Sequence, residues 1–245
     1  CVGDNVSFEI TASGTSLTYQ WFRDGNLLID GGNISGATTG TLTLSGLALT
    51  DAGDYVCRVT GTCGSVNSNP ATLIVDDNIA ITSQPAGRTI CEGSNHSFTV
   101  VASGSNLTYQ WQKDGVDIIG AINATLNLNS ITPADAGDYQ CVISNSCGAV
   151  LYSNVAALSV DAATALTVHP SDAVECEGDN LSLTVSATGS GLGYQWYKGG
   201  IAMADGGTIS GTGTNSLVIG NLAVTDAGTY YCEVSGNCGT INSDP

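Results

Sequence analysis

Apolar and polar residues alternate over short stretches of this chain. Val6, Phe8, Ile10 and Ala12 interleave with Ser7, Glu9 and Thr11, and Leu42 and Leu44 interleave with Thr41 and Thr43. A period of two puts the apolar side chains on one face of an extended segment, so each stretch predicts a half-buried β-strand. No apolar stripe at helical spacing persists, and Ser, Thr, Asn and Gly fill the intervening positions, which argues against amphipathic helices. Asp24-Gly25-Asn26 and Asp114-Gly115 carry the turn chemistry that joins neighbouring antiparallel strands.

The alternation belongs to a unit that recurs. Cys1-Val2-Gly3, Cys91-Glu92-Gly93 and Cys176-Glu177-Gly178 open its copies; Tyr19-Gln20-Trp21, Tyr109-Gln110-Trp111 and Tyr194-Gln195-Trp196 follow. Each copy then reaches Asp51-Ala52-Gly53-Asp54-Tyr55-Val56-Cys57, Asp135-Ala136-Gly137-Asp138-Tyr139-Gln140-Cys141 or Asp226-Ala227-Gly228-Thr229-Tyr230-Tyr231-Cys232. The middle unit is shorter between Trp111 and Asp135, where the first carries the Gly-rich stretch 30–40, so the length variation sits in a loop.

A Gly, a Trp about eighteen residues later and then Asp-x-Gly-x-Tyr-x-Cys together resemble the immunoglobulin fold with its tyrosine corner. The Cys-x-Gly opening and a late Cys-Gly more narrowly resemble the Ig-like repeats of very large surface adhesins of gliding, Bacteroidetes-type bacteria. The resemblance implies an all-β chain of three tandem Ig-like β-sandwiches of roughly seven or more strands each. The expected domains are residues 1–77, 78–161 and 162–245, the first lacking its first strand and the last lacking the end of its last strand. Both cuts suggest a window from a longer array; the alternative is strand donation by neighbouring chains.

One departure from the family pattern matters. The strand B position that ordinarily carries the first cysteine of the inter-sheet disulfide holds Ile10, Val100 or Val185. Cys57, Cys141 and Cys232 are therefore expected as buried free thiols, packed with those aliphatic residues beside Trp21, Trp111 and Trp196 and above the corner tyrosines Tyr55, Tyr139 and Tyr230. For the other six cysteines, the sandwich implied by the resemblance places the opening Cys at one pole and the late Cys at the other. Head-to-tail stacking would then pair Cys1 with Cys147 and Cys91 with Cys238, leaving Cys63 and Cys176 for absent neighbouring domains. Bridges within one domain and unpaired thiols are the alternatives.

Composition narrows the functional classes. With 22 Asp+Glu against 5 Lys+Arg, a net charge of −17, the chain has almost nothing to neutralise phosphates, which disfavours nucleic acid and anionic membrane surfaces. No apolar run is long enough to span a bilayer and no leader precedes Cys1, so the chain reads as a mature or excised segment. Nine cysteines at regular positions suggest an oxidising, extracellular setting.

Catalytic chemistry has little to work with: His96 and His169 have no histidine counterparts in the sister units, and no nucleophile-elbow or zinc-protease motif occurs. No cofactor is expected. The corner carboxylates Asp51, Asp135 and Asp226 read as turn-closing groups, with Asp54 and Asp138 nearby. Asp76-Asp77 and Asp161 at the junctions lack the spaced acidic loop that calcium uses. Sequons occur at Asn5, Asn33, Asn95, Asn106, Asn123 and Asn180.

The expectation is a non-enzymatic stalk or fibre segment of an extracellular bacterial adhesin. Its partners would be neighbouring Ig-like domains, and the family resemblance adds gliding motility and type IX secretion. One rival is a glycan- or protein-binding module using pole loops 31–40 and 206–214, which contain no aromatic residue; another is accessory domains of a surface enzyme.

Overall fold

The computed structural model describes residues 1–245. Apart from the single-turn 3-10 helices Leu49–Asp51, Pro133–Asp135 and Val224–Asp226, its regular structure is strand. The strands form three sandwiches, each around its own apolar core.

The middle sandwich has the most strands. One face orders Arg88–Cys91, Ala156–Asp161, Gly137–Ser144, Thr108–Lys113 and Val116–Asp117, with Val150–Tyr152 also on Gly137–Ser144. The other pairs His96–Thr99 with Thr125–Leu128 and Ala80–Ser83 with Val101–Ser103. The opening segment thus serves both sheets. Its second half runs parallel to the closing strand, with Cys91 registered on Asp161, so the opening cysteine lies where the chain leaves for the next sandwich.

The first sandwich sets Val6–Glu9, Thr41–Leu44 and Ile34–Ser35 against Asn26–Leu27, Thr18–Arg23, Gly53–Gly61, Gly64–Asn67 and Ala71–Leu73. The third repeats this plan without a counterpart of Ala71–Leu73 and adds Ala165–Val168 on Ser186–Thr188. In all three, cross-strand register puts the tryptophan opposite the lone cysteine: Trp21 on Cys57, Trp111 on Cys141, Trp196 on Cys232. The hairpin after each Trp strand turns through two residues of positive φ, Asp24-Gly25 (50° and 81°), Asp114-Gly115 (52° and 78°) and Gly199-Gly200 (56° and 81°). That geometry matches the right-handed twist of the strands it joins.

Two expectations are corrected. Ile10 is only half-buried, whereas Val100 and Val185 are 1% exposed. In the second and third sandwiches an extra strand, Ala80–Ser83 or Ala165–Val168, covers that end, and the first has none. The stretches 31–40 and 206–214 are not free pole loops: Ile34–Ser35 and Ile209–Ser210 join the sheet, and Ala37 and Thr212 are buried. Asp30 Oδ1 accepts the Ala37 N–H at 2.7 Å and Asp205 Oδ1 the Thr212 N–H at 2.9 Å, which holds each stretch against the body of the sandwich. In the third sandwich, strand structure in 164–175 is limited to Ala165–Val168. Between Val168 and Leu181 the chain forms no ladder, and Val174 stands 99% exposed.

Candidate functional site

Two groups of residues carry the chemistry that the sequence singles out: the lone cysteines within each core, and the cysteines at the poles. Within the cores, Cys57, Cys141 and Cys232 are buried and unbonded. Burial raises the pKa of all three, pushing Cys141 and Cys232 up to about 11 because an apolar setting disfavours the thiolate. Trp21, Trp111 and Trp196 are buried, and each indole N–H donates to a backbone carbonyl, of Thr39, Asn123 and Thr214 respectively, at 2.9 Å.

The corner is built the same way each time. Tyr55, Tyr139 and Tyr230 donate through their hydroxyls to the carbonyls of Asp51, Asp135 and Asp226 at 2.6, 2.8 and 2.5 Å. Those aspartates accept the N–H groups of Ala48, Thr132 and Ala223, closing the single-turn helices. For Asp135 the Thr132 backbone and hydroxyl bonds lower the carboxyl pKa.

Sequence reasoning overlooked a serine. Ser68, Ser153 and Ser243 accept the N–H of Cys57, Cys141 and Cys232 at 3.0, 2.9 and 3.0 Å, and return their own N–H to the same cysteine's carbonyl. The recurring Ser-Asn or Ser-Asp pair after the late Cys-Gly was the available signal. The histidines serve the fold. His96 packs edge-on against Phe98, and burial with Arg88 nearby lowers its pKa. His169 Nδ1 accepts the Asp244 N–H as Gln84 Oε1 accepts that of Asn154, so this position does have a shared role, contrary to expectation.

At the poles the structure joins Cys1 to Cys147 and Cys91 to Cys238 by disulfides, with Cα atoms 5.8 and 5.5 Å apart. Cys63 and Cys176 are exposed and unbonded. Both bonded junctions are organised around an aspartate, Asp76 just beyond the strand Ala71–Leu73 and Asp161 at the end of Ala156–Asp161. The Asp76 carbonyl accepts the Val2 N–H and the Asp161 carbonyl that of Glu92, at 3.0 and 2.9 Å. Their carboxylates take amide donors from the following sandwich, Asn106 and Asn237, each at 3.0 Å; Ser146 also bonds Asp76. The next residue's N–H goes to Ser105 Oγ or Ser190 Oγ. The junction carboxylates are thus engaged by amide and hydroxyl donors, and no group of three or more His, Cys, Asp or Glu side chains is placed to hold an ion. Among the sequon asparagines, Asn5, Asn95 and Asn180 cap turns by accepting N–H groups through Oδ1.

The family model described as "Immunoglobulin domain" matches residues 1–60, 80–145 and 165–236. The chain belongs to this family. Its immunoglobulin domains are 28% identical over 267 residues to the human leucine-rich repeats and immunoglobulin-like domains protein 1, covering 98% of this chain and 24% of that protein. They are 26% identical over 239 residues to mouse Roundabout homolog 1, covering 91% and 15%. The chain therefore spans a quarter or less of these relatives. Among solved structures, the titin fragment I67–I69 superposes with a TM-score of 0.80 at 22% identity over 99% of this chain and 91% of that one, a likeness of fold. The Down Syndrome Cell Adhesion Molecule domains match with a TM-score of 0.52 at 21% identity, over 98% of this chain and 38% of theirs. These are tandem immunoglobulin domains similar to those of adhesion molecules.

Proposed function

We propose that the chain is a structural segment of an extracellular, non-enzymatic stalk, part of a bacterial surface adhesin, whose immunoglobulin domains are stapled to one another by disulfides. The observation that carries the reading is the location of the two bonds. They connect successive domains, so each junction has a second covalent tie beside the peptide linker. On the loop-entropy account, closing loops with sequence separations of 146 and 147 contributes about 5 kcal/mol for each bond taken alone. The role in gliding, export by the type IX route and an origin in residues 1–77, 78–161 and 162–245 as separate domains extend the same reading from the resemblance. Sparse Lys and Arg leave few trypsin-type cleavage points, and the net charge of −17 opposes lateral clumping.

The test is mechanical. With both bonds intact, Cys1 is tied to Cys147 and Cys91 to Cys238, so tension divides among three parallel stretches of chain. The shortest, residues 91–147, together with the tail 238–245 caps the reach at roughly 230 Å, at ~3.6 Å per residue. Single-molecule pulling from the two ends should stop near that length without reductant and extend about fourfold further with it. Full extension without reductant would overturn the reading. A glycan- or protein-binding module is the second reading.

A further inference from the structure

The sheet that carries each tryptophan has an outer face, and its chemistry differs from domain to domain. In the first, Phe22, Val56, Arg58 and Asn67 share that face, alternating with the buried Trp21 and Cys57. The Arg58 guanidinium lies over the Phe22 ring, 5.2 Å from its centroid, and its Nε donates to Asn67 Oδ1 at 3.2 Å. Ring and amide hold the fork in place, while its terminal N–H groups reach no acceptor in the chain. Leu27, registered on Phe22, is 56% exposed. The same positions in the third domain hold Tyr197, Tyr231, Glu233 and Asn242. The two tyrosine rings stack 4.9 Å apart with planes 1° from parallel, and the Tyr197 hydroxyl donates to Glu233 Oε1 at 3.5 Å. Glu233 meets no cation within the chain. The middle domain places Gln112, Gln140, Val142 and Tyr152 there, with no charge at the position of Arg58 and Glu233.

We propose that the outer face around Arg58, in the first domain of one copy of this chain, docks on the outer face around Glu233, in the third domain of a second copy. The aromatic and aliphatic side chains of the two faces bury against each other, and the Arg58–Glu233 pair sets the register and the choice of partner. Charge is the argument for a second copy as the occupant. Of the 5 Lys+Arg, Arg23, Lys113 and Lys198 each donate to a carbonyl of their own corner helix, of Thr50, Ala134 and Thr225 respectively. Arg58 is instead held out on a sheet face. With a net charge of −17, copies repel one another over most of their surface, so they meet only where the charge locally reverses, which separates this docking from lateral clumping. Asp54, the other formal charge on the first face, already takes the Thr72 hydroxyl at 2.6 Å, and the third domain has the uncharged Thr229 at that position. The two faces differ, so the contact is heterologous. It uses no cysteine and no residue of the junctions, and it stands independently of the stalk reading.

The experiment is sedimentation velocity across a dilution series at physiological salt, on the whole chain with Cys63 and Cys176 alkylated so that no new disulfide forms. It should show reversible association beyond the 24.7 kDa chain. Arg58→Glu and Glu233→Arg should each weaken that association ~10-fold or more, because like charges then face each other across the contact. An equimolar mixture of the two variants should recover it, since the reversed charge of each meets its complement on the other, and so should the chain that carries both substitutions. Arg58→Gln and Glu233→Gln, which remove the charge without reversing it, should weaken it less than the reversals and serve where a reversal lowers the melting temperature. A chain that sediments as a monomer at every dilution, an association that neither reversal weakens, or a loss that mixing does not restore would overturn the proposal.

Discussion

A lone cysteine in an apolar core is inert because its thiolate is costly there. Cys141 and Cys232, with pKa values raised to about 11 by burial, and Cys57, raised for the same cause, face tryptophans and receive no cationic neighbour. A maleimide reagent added to the native, unreduced protein at pH 8 should therefore label Cys63 and Cys176 alone, and all five free cysteines once the protein is denatured; the mass of the labelled protein distinguishes the two. Fast native labelling of Cys141 would show that its strand is misplaced. The same shift has a pH signature. The folded state holds the thiol proton more tightly than the unfolded chain, so this contribution is intact below the unfolded value of 9.0. It declines as pH rises through the window from 9 to 11. Replacing Cys141 with Val should flatten that alkaline decline in a set of thermal melts; a decline of unchanged slope would assign it to other groups.

Among the elements, the corner shows how a short motif holds two segments at once. Tyr139 projects from the long Gly137–Ser144 strand and its hydroxyl reaches back to the Asp135 carbonyl, while the Asp135 carboxylate caps the single helical turn through Thr132. Tyr139→Phe removes the donor and leaves a carbonyl short of its partner, at a cost of about 1–3 kcal/mol. Chemical denaturation should report a lower midpoint with an unchanged slope. A loss below about 0.5 kcal/mol, the size of a surface substitution, would mean that water replaces the bond. The Asp-x-Gly-x-Tyr-x-Cys spacing made this corner legible from the sequence, because every contact in it is local. The serine behind the lone cysteine was not legible. Ser153 reaches Cys141 only because the chain returns through a hairpin, so the recurring Ser-Asn or Ser-Asp pair marks the position without showing its partner.

At the scale of the whole molecule, the junctions decide whether three domains behave as beads or as a rod. The polar contacts around Asp76 and Asp161 are exposed and individually modest, while the disulfides are covalent. A chain carrying Cys147→Ser and Cys238→Ser should keep its folded domains, yet broaden its small-angle X-ray distance distribution relative to the unsubstituted chain. Identical profiles would mean that the linker and its hydrogen bonds already set the domain angles.

The sequence by itself determined the alternation that makes strands, the triple recurrence, the Asp-Gly hairpins, the tyrosine corner and the burial of three tryptophans. All of these follow from side chains close along the chain or from which face of a strand is apolar. Tertiary structure decided the rest. Ile10 and Val100 occupy the same repeat position, but only Val100 lies under a neighbouring strand and is fully buried. His169 looked unshared until its Nδ1 was seen to do the work of Gln84 Oε1. Stretches 31–40 and 206–214 read as loops because two-residue strands are too short to show a period, and the sheet edge is what orders them. The meeting of Cys1 with Cys147 and of Cys91 with Cys238 belongs to this second class, since it depends on how one sandwich seats on the next. The parallel register of Cys91 on Asp161 and the carboxylate bonds to Asn106 and Asn237 set that seating, and they join residues that no local pattern connects.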